Sequence, residues 1–407
     1  MKPEHKLDRM AHSERKHRMS IGITSSICIA SAAISLATEL RLKRLERPLT
    51  DRWQSVSVVP GPSTMLGISF RPRQAESFGL VPTDALHSLL EYPFDIIRLA
   101  AYWNHIESQP GRFDFSELDW QVDAAEAADK QIIICVGPVK CFGYPEYFVP
   151  DHVLDSPIPE HSVVSAKTHP SLLEASTTFA RRIVERYRDR ESVVAWQVEH
   201  EAVDPLGIEH SWRLSASFVR SEVDAVRSVD PSRPVVLNGF LPTSTPVRLV
   251  QWWRTRDQGD SLTIARSLAD VIGVDFYPRH ALVSLGSWSA YLDGANRQWQ
   301  QRPWRLLAAW QSESSRRQMI VTEGQAEPWE TITVPPNPVR AGMYSCLPED
   351  VIDNYNRAIS YAARSGLACK AYLFWGAEYW LLRQASGDPR YLDAFARVLK
   401  CHRYTHG

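Results

Sequence analysis

The chain has 407 residues, of which 44% are hydrophobic and 23% charged, and its formal net charge is −1. That length and hydrophobic share allow a large buried core. Near-neutrality excludes a surface that holds nucleic acid by charge. Six cysteines form no Cys-x-x-Cys pair and no Cys/His cluster at zinc spacing, so the sequence offers no metal site and leaves disulfide pairing open. Fourteen tryptophans are many for this length. Most are expected in the core, but Trp faces also pack against sugar C–H groups, which directs attention to those near strand ends.

Taken in chain order, residues 1–47 form a basic N-terminal segment with no share in the pattern that follows. Within it, residues 19–38 carry no charge, are rich in Ser and Thr, and are flanked on both sides by basic residues. This stretch is long enough to span a bilayer, and Ala30-Ser-Ala32 offers small residues for signal cleavage. The expectation is an extracytoplasmic protein, secreted or held at a membrane through residues 19–38.

Residues 48–407 read as one domain. Short apolar, β-rich runs at 65–70, 95–99, 131–136, 193–198, 234–237, 271–276, 319–321 and 371–374 alternate with amphipathic helical stretches such as 172–187, 211–228 and 351–364. Strands alternating with helices predict a parallel sheet with crossover connections, and nearly all-apolar strands predict a sheet covered on both faces. Eight such units with nothing left over favour an α/β fold of the closed (β/α)8, or TIM-barrel, type. No Gly-x-Gly-x-x-Gly follows an early strand and no phosphate-binding loop is present, which argues against a nucleotide cofactor. Long connections at 138–170 and 325–350 are expected to build the site.

Catalytic groups of such a barrel stand at the C-terminal ends of its strands. The fourth run ends Trp196-Gln-Val-Glu-His-Glu201 and the seventh ends Ile320-Val-Thr-Glu323. Two glutamates across the barrel mouth suit double displacement at a glycosidic bond: Glu201 as acid/base and Glu323 as nucleophile, about 5–5.5 Å apart. Glu199 competes with Glu201, since side chains two apart on a strand share a face. Glu327 competes with Glu323 but lies beyond the strand.

These motifs resemble clan A of the glycoside hydrolases, whose catalytic glutamates lie on strands four and seven. The stretch Arg98…Trp103…Ile106-Glu107…Gly111-Arg-Phe-Asp-Phe115 is similar to the second unit of family 42 β-galactosidases, and Gly143-Tyr-Pro-Glu146 to their loop after strand three. Family 5 cellulase-like barrels share the layout. The resemblance implies a glycosidase that acts on a carbohydrate without cofactor or metal. It further implies that Arg98 bonds the nucleophile and keeps it ionised, that Tyr277 contacts the same carboxylate, and that Trp375 floors the reacting sugar; Trp103, His200 and Glu378 complete the expected substrate-binding set. His200 departs from the clan, which has Asn before the acid/base to bond the sugar 2-hydroxyl; imidazole can donate such a bond. Fold alone does not prove catalysis, so an inactive carbohydrate-binding protein, a transglycosylase and a metal-dependent barrel hydrolase are the competing readings. Retention of both glutamates weighs against the first, and the lack of a His-x-His near the first strand against the last. Sugar, linkage and oligomeric state are not encoded in these motifs.

Overall fold

In the computed structural model the described residues are 33–34, 36–204, 210–255, 258–293, 297–330, 334 and 341–403. Eight parallel strands close into a barrel: β1 (Met65–Ser69), β2 (Ile96–Ala100), β3 (Gln131–Cys135), β4 (Val193–Gln197), β5 (Val235–Phe240), β6 (Val271–Phe276), β7 (Gln318–Gln325) and β8 (Cys369–Trp375). All eight expected runs are barrel strands. β8 closes on β1 through Ala371 opposite Met65, and β6 lies between β5 and β7.

The strands are mostly apolar because both of their faces are covered. One set of side chains fills the barrel interior: Ile96, Ile133, Ala195, Val236, Val271, Ile320, Ala371 and Leu373. The alternate set packs outward against the helices, where Leu66, Ile97, Ile132, Trp196, Val235, Val321 and Phe374 join one continuous core. Each fully buried aliphatic side chain contributes about 1.5–3 kcal/mol, which holds the strand ends in fixed register.

Helix starts follow local chemistry. Proline opens the helices Pro170–Tyr187 and Pro348–Arg364, where its missing N–H costs nothing. The helical stretch expected over 211–228 begins later, at Ala216, because Ser215 caps it: its hydroxyl accepts from the Phe218 N–H at 3.2 Å. The preceding Arg213–Leu214 is extended and pairs with Val163–Val164.

A long hairpin follows β6. Arg279–Leu285 and Trp288–Asp293 pair antiparallel about a turn in which Gly286 adopts φ +59°. Its outer edge is covered by Leu40–Arg44, and Glu46–Pro48 pairs with Ala341–Met343. The boundary drawn at residue 47 therefore falls inside paired structure; the basic segment 39–47, taken from its charge as no part of the fold, supplies two short strands. Most of the uncharged 19–38 stretch lies outside the described residues, and no described helix is long and apolar enough to cross a membrane. A chain beginning at residue 38 is expected to melt at the midpoint of the full chain. One beginning at residue 49 should still fold but melt a few degrees lower, having lost both edge strands. Equal midpoints for the two, by calorimetry, would show that these strands add nothing.

Candidate active site

The site is built around one buried cation. β2 carries Arg98 into the barrel mouth with no solvent exposure. A guanidinium there requires an anion, and its Nη2 donates to Glu323 Oε1 at 2.6 Å. Nη1 reaches Gln197 Oε1 at 3.3 Å, and the guanidinium carbon lies 3.9 Å from the Phe142 ring centre. The second oxygen of Glu323 accepts from the Tyr277 hydroxyl at 2.6 Å. Burial, then the Glu323 charge, pushes the Tyr277 phenol well above its ordinary pKa, so it remains a donor. Both oxygens of Glu323 are thus fixed at the end of β7. Gly324 follows because a Cβ there would fall 2.2 Å from the Tyr372 ring.

The end of β4 sends Glu199 and Glu201 in different directions. Strand geometry stops at Gln197, and Glu199 and Glu201 adopt φ +57° and +42°. Left-handed backbone at non-glycine residues costs about 1–3 kcal/mol each, and it breaks the two-residue alternation. Glu199 turns beneath the loop after β3, where its oxygens accept from the Val139 and Lys140 N–H groups at 3.1 and 2.7 Å. Burial pushes its pKa to about 7 against those two bonds. Glu201 instead faces a cavity of about 470 Å³ together with Glu323, His200, Tyr277 and Trp375. Lys140 holds the turn from behind, donating to the Glu201 carbonyl at 2.7 Å. Burial opposes its charge, yet Tyr147, Glu146 and Glu201 outweigh that and raise its pKa.

Asn238, at the end of β5, organises the remainder. Its Oδ1 accepts from the Glu201 N–H at 3.1 Å and from Gln197 Nε2 at 3.0 Å. Its Nδ2 is therefore the donor, to Asp275 Oδ2 at 2.7 Å and to His200 Nδ1 at 2.9 Å. His200 Nδ1 is then an acceptor, which assigns the ring proton to Nε2. Burial, then Arg98 and Lys140, drives the His200 pKa well below its ordinary value, so the ring is neutral. His200, Asp275 and Glu323 bring ligand atoms within 4.8 Å of one another. Here, however, Arg98 supplies the counter-charge of Glu323 and the Asn238 amide engages the other two.

Glu201 is the group poised to carry a proton. Burial raises its pKa well above that of an ordinary carboxyl, and Asp275, Asp204 and Glu323 raise it further. Asp275 lies opposite Glu323 in the β6–β7 register, accepts from the Thr322 hydroxyl at 2.7 Å and hydrogen-bonds the Glu201 carboxyl. Burial, then the Glu323 charge, pushes Asp275 to about 8. A charge-neutralised carboxylate and a protonated carboxyl thus face one cavity, an arrangement suited to attack by one and proton donation by the other.

The profile of glycoside hydrolase family 42, described as β-galactosidase, matches residues 82–212, which contain β2 through β4 and Glu201. The chain is a clan A glycoside hydrolase. The match spans under half of the chain, so no family within the clan is assigned. No curated protein matches it. Among solved structures, native xylanase 10B from Thermotoga maritima aligns at 15% identity and TM-score 0.51, covering 86% of this chain and 99% of that one. A family 5, subfamily 18 hydrolase from Streptomyces cattleya in complex with GlcNAc aligns at 13% identity and TM-score 0.51, covering 86% and 82%. At such identities the likeness is one of fold.

Arg98, His200, Glu201, Tyr277, Glu323 and Trp375 of this glycosidase come together at one mouth. Two expected substrate ligands do not. Trp103 is fully buried, donates to Glu107 Oε2 at 2.8 Å and stacks on Phe179 at 5.1 Å, so it belongs to the packing around the barrel. Glu378 is also fully buried. Its oxygens accept from the Arg71 backbone N–H at 2.6 Å and from the Arg71 guanidinium at 2.6 and 3.0 Å. Arg71 in turn clamps Glu327 at 2.7 and 2.8 Å, which commits that rival of Glu323 to a structural ion pair. The same guanidinium lies 4.1 Å from the centre of the Trp375 ring and braces it. Asn238, Asp275, Gln197 and Lys140 were not among the expected site residues. Their one sequence signal is a polar side chain at the end of, or just after, an apolar strand.

Replacing Asp275 by Asn removes an acid whose charge raises the Glu201 pKa. Glu201 should then lose its proton at lower pH, and the alkaline limb of kcat/KM should move down by roughly one pH unit. A limb that stays in place in folded Asp275→Asn protein would assign it to another group.

Proposed function

We propose that this glycosidase retains anomeric configuration, with Glu323 as nucleophile and Glu201 as acid/base. The observation that carries the reading is the contrast between the two carboxyls. Glu323 is gripped at both oxygens by Arg98 and Tyr277, which aim it and offset its charge. Glu201 faces the same cavity in an environment that favours its protonated form. In the first step Glu323 attacks the anomeric carbon while the Glu201 carboxyl protonates the leaving oxygen; in the second, Glu201 takes a proton from water, which displaces Glu323. Trp375 borders the cavity as a floor for the sugar ring, and the His200 Nε2–H offers a neutral donor where the clan has an amide.

We also propose that residues 19–38 direct export or tether the enzyme at a membrane. Support comes from the absence of charge over that stretch and the basic residues flanking it. Fractionation of cells expressing the full chain should place it outside the cytoplasm or in membranes; recovery wholly in the soluble cytoplasm would sink this.

A screen of nitrophenyl glycosides followed by NMR early in the reaction tests the mechanism. The first product should have the anomeric configuration of the substrate, and an inverted product would overturn double displacement. Glu323→Ala should lose several orders of magnitude in kcat and give, with azide, a glycosyl azide of inverted configuration. Glu201→Ala should slow poor leaving groups far more than activated aryl ones, and azide should rescue it with retention.

A further inference from the structure

The two sides of the barrel mouth differ in chemistry. The cavity that holds Glu201 runs outward over the segments following β5 and β6. There its wall is Phe240, Pro246, Val247, Val250, Leu282 and Leu292. Pro246, Val247, Val250 and Gln251 lie on one face of the helix Thr245–Thr255, and Leu282 comes from the hairpin strand Arg279–Leu285. Arg254 and His280 also line the cavity here, while the other polar groups on this side are bonded within the protein. Gln251 donates to Asp204 at 3.1 Å, Asp204 accepts from the Ser261 N–H at 2.9 Å, and the Thr255 hydroxyl donates to the Gln251 carbonyl at 3.1 Å.

The apolar wall continues to the surface. Val250 and Leu282 each line the cavity and are half exposed. On the same two segments Trp253 is 64% and Leu285 86% exposed. The opposite side is different. A second cavity of about 330 Å³, across Tyr144, Tyr277, Trp329 and Trp375, is lined by Gln74, Ser77, Glu327 and Glu330 together with Phe78, Pro328 and Val334, and does not touch Glu201.

The acid/base marks the side on which the leaving group departs, because its proton goes to the leaving oxygen. We propose, on the footing of the hydrolytic reading above, that the leaving group is apolar: the enzyme cleaves amphiphilic glycosides whose aglycone is an alkyl chain lying along Phe240, Val247, Val250 and Leu282, while the sugar sits over Trp375. A sugar in the leaving-group position would set the hydroxyls that face Phe240, Val247, Val250 and Leu282 against side chains that cannot bond them, and those groups would lose hydrogen bonds made in water. An alkyl chain instead gains by leaving water, and the half-exposed Val250 and Leu282 carry that apolar wall to the surface.

The test uses the full chain and the sugar whose nitrophenyl glycoside it hydrolyses. Methyl, hexyl and octyl glycosides of that sugar are compared by kcat/KM below their micellar concentrations. The ratio should rise about twofold per methylene, to roughly 100-fold between methyl and octyl. Val250→Asp and Leu282→Asp should each cut the octyl-to-methyl ratio about tenfold or more, with folding checked by circular dichroism. A flat or falling series from an enzyme active on the nitrophenyl glycoside overturns the apolar leaving group and leaves the hydrolase reading standing. No hydrolysis of any nitrophenyl or alkyl glycoside by folded protein overturns both. The wild-type series alone decides the question should the variants fail to fold.

Discussion

A single ion pair, Arg98 with Glu323, sets the terms for every other group in the barrel mouth. Both partners are essentially excluded from solvent. A charge in that position persists only when paired and hydrogen-bonded, and the pair leaves no room for a second isolated carboxylate nearby. Asp275 and Glu201 respond by raising their proton affinity, each opposed by burial and by the charge of Glu323. His200 responds in the opposite sense, since burial, and then the cations Arg98 and Lys140, disfavour a charged ring. In the mechanism proposed above, the division into nucleophile and proton donor follows from which carboxylate the arginine holds.

The backbone at the end of β4 converts that electrostatic division into geometry. Had the strand continued, Glu199 and Glu201 would share a face. Two left-handed residues send one beneath the loop after β3 and the other into the cavity. The strain is offset by bonds that converge on this short turn: Val139 and Lys140 N–H on Glu199, Lys140 Nζ on the Glu201 carbonyl, and Asn238 on the Glu201 N–H. A turn held from the loop after β3 and from β5 positions a carboxyl more tightly than a free strand end would.

The barrel was legible because its signal is distributed. Eight apolar runs separated by amphipathic stretches leave few alternatives, and the glutamates at the ends of the fourth and seventh runs inherit their position from that count. The partners of those glutamates were harder to read. Arg98 and Tyr277 emerged through resemblance, whereas Asn238 sits in the run Val-Val-Leu-Asn-Gly-Phe, where nothing local says that its amide will meet β4 and β6 at once. Trp103 and Glu378 were misplaced for a related reason. Each follows a strand end, but so do residues that turn outward to pack or to pair, and the direction depends on contacts far away in sequence: Phe179 for the tryptophan, Arg71 for the glutamate. The short strands at residues 40–48 were hidden by their charge. An edge strand whose outer face is solvated can be basic and still pair through its backbone, which composition does not reveal.

His200 shows how a departure from a clan motif can preserve its chemistry. The amide it replaces is a neutral donor at every working pH. Imidazole meets that requirement only if its proton stands on Nε2 and no second proton is taken up. Asn238 imposes the first condition through Nδ1, and it can do so because its own orientation is fixed by the Glu201 N–H. Burial beside Arg98 and Lys140 imposes the second. The longer side chain carries the donor farther from the backbone than an asparagine would, which alters the space beside the sugar rather than the proton inventory of the site. In the proposed mechanism the pH dependence is accordingly set by the carboxyl groups, with the imidazole contributing shape and a hydrogen bond.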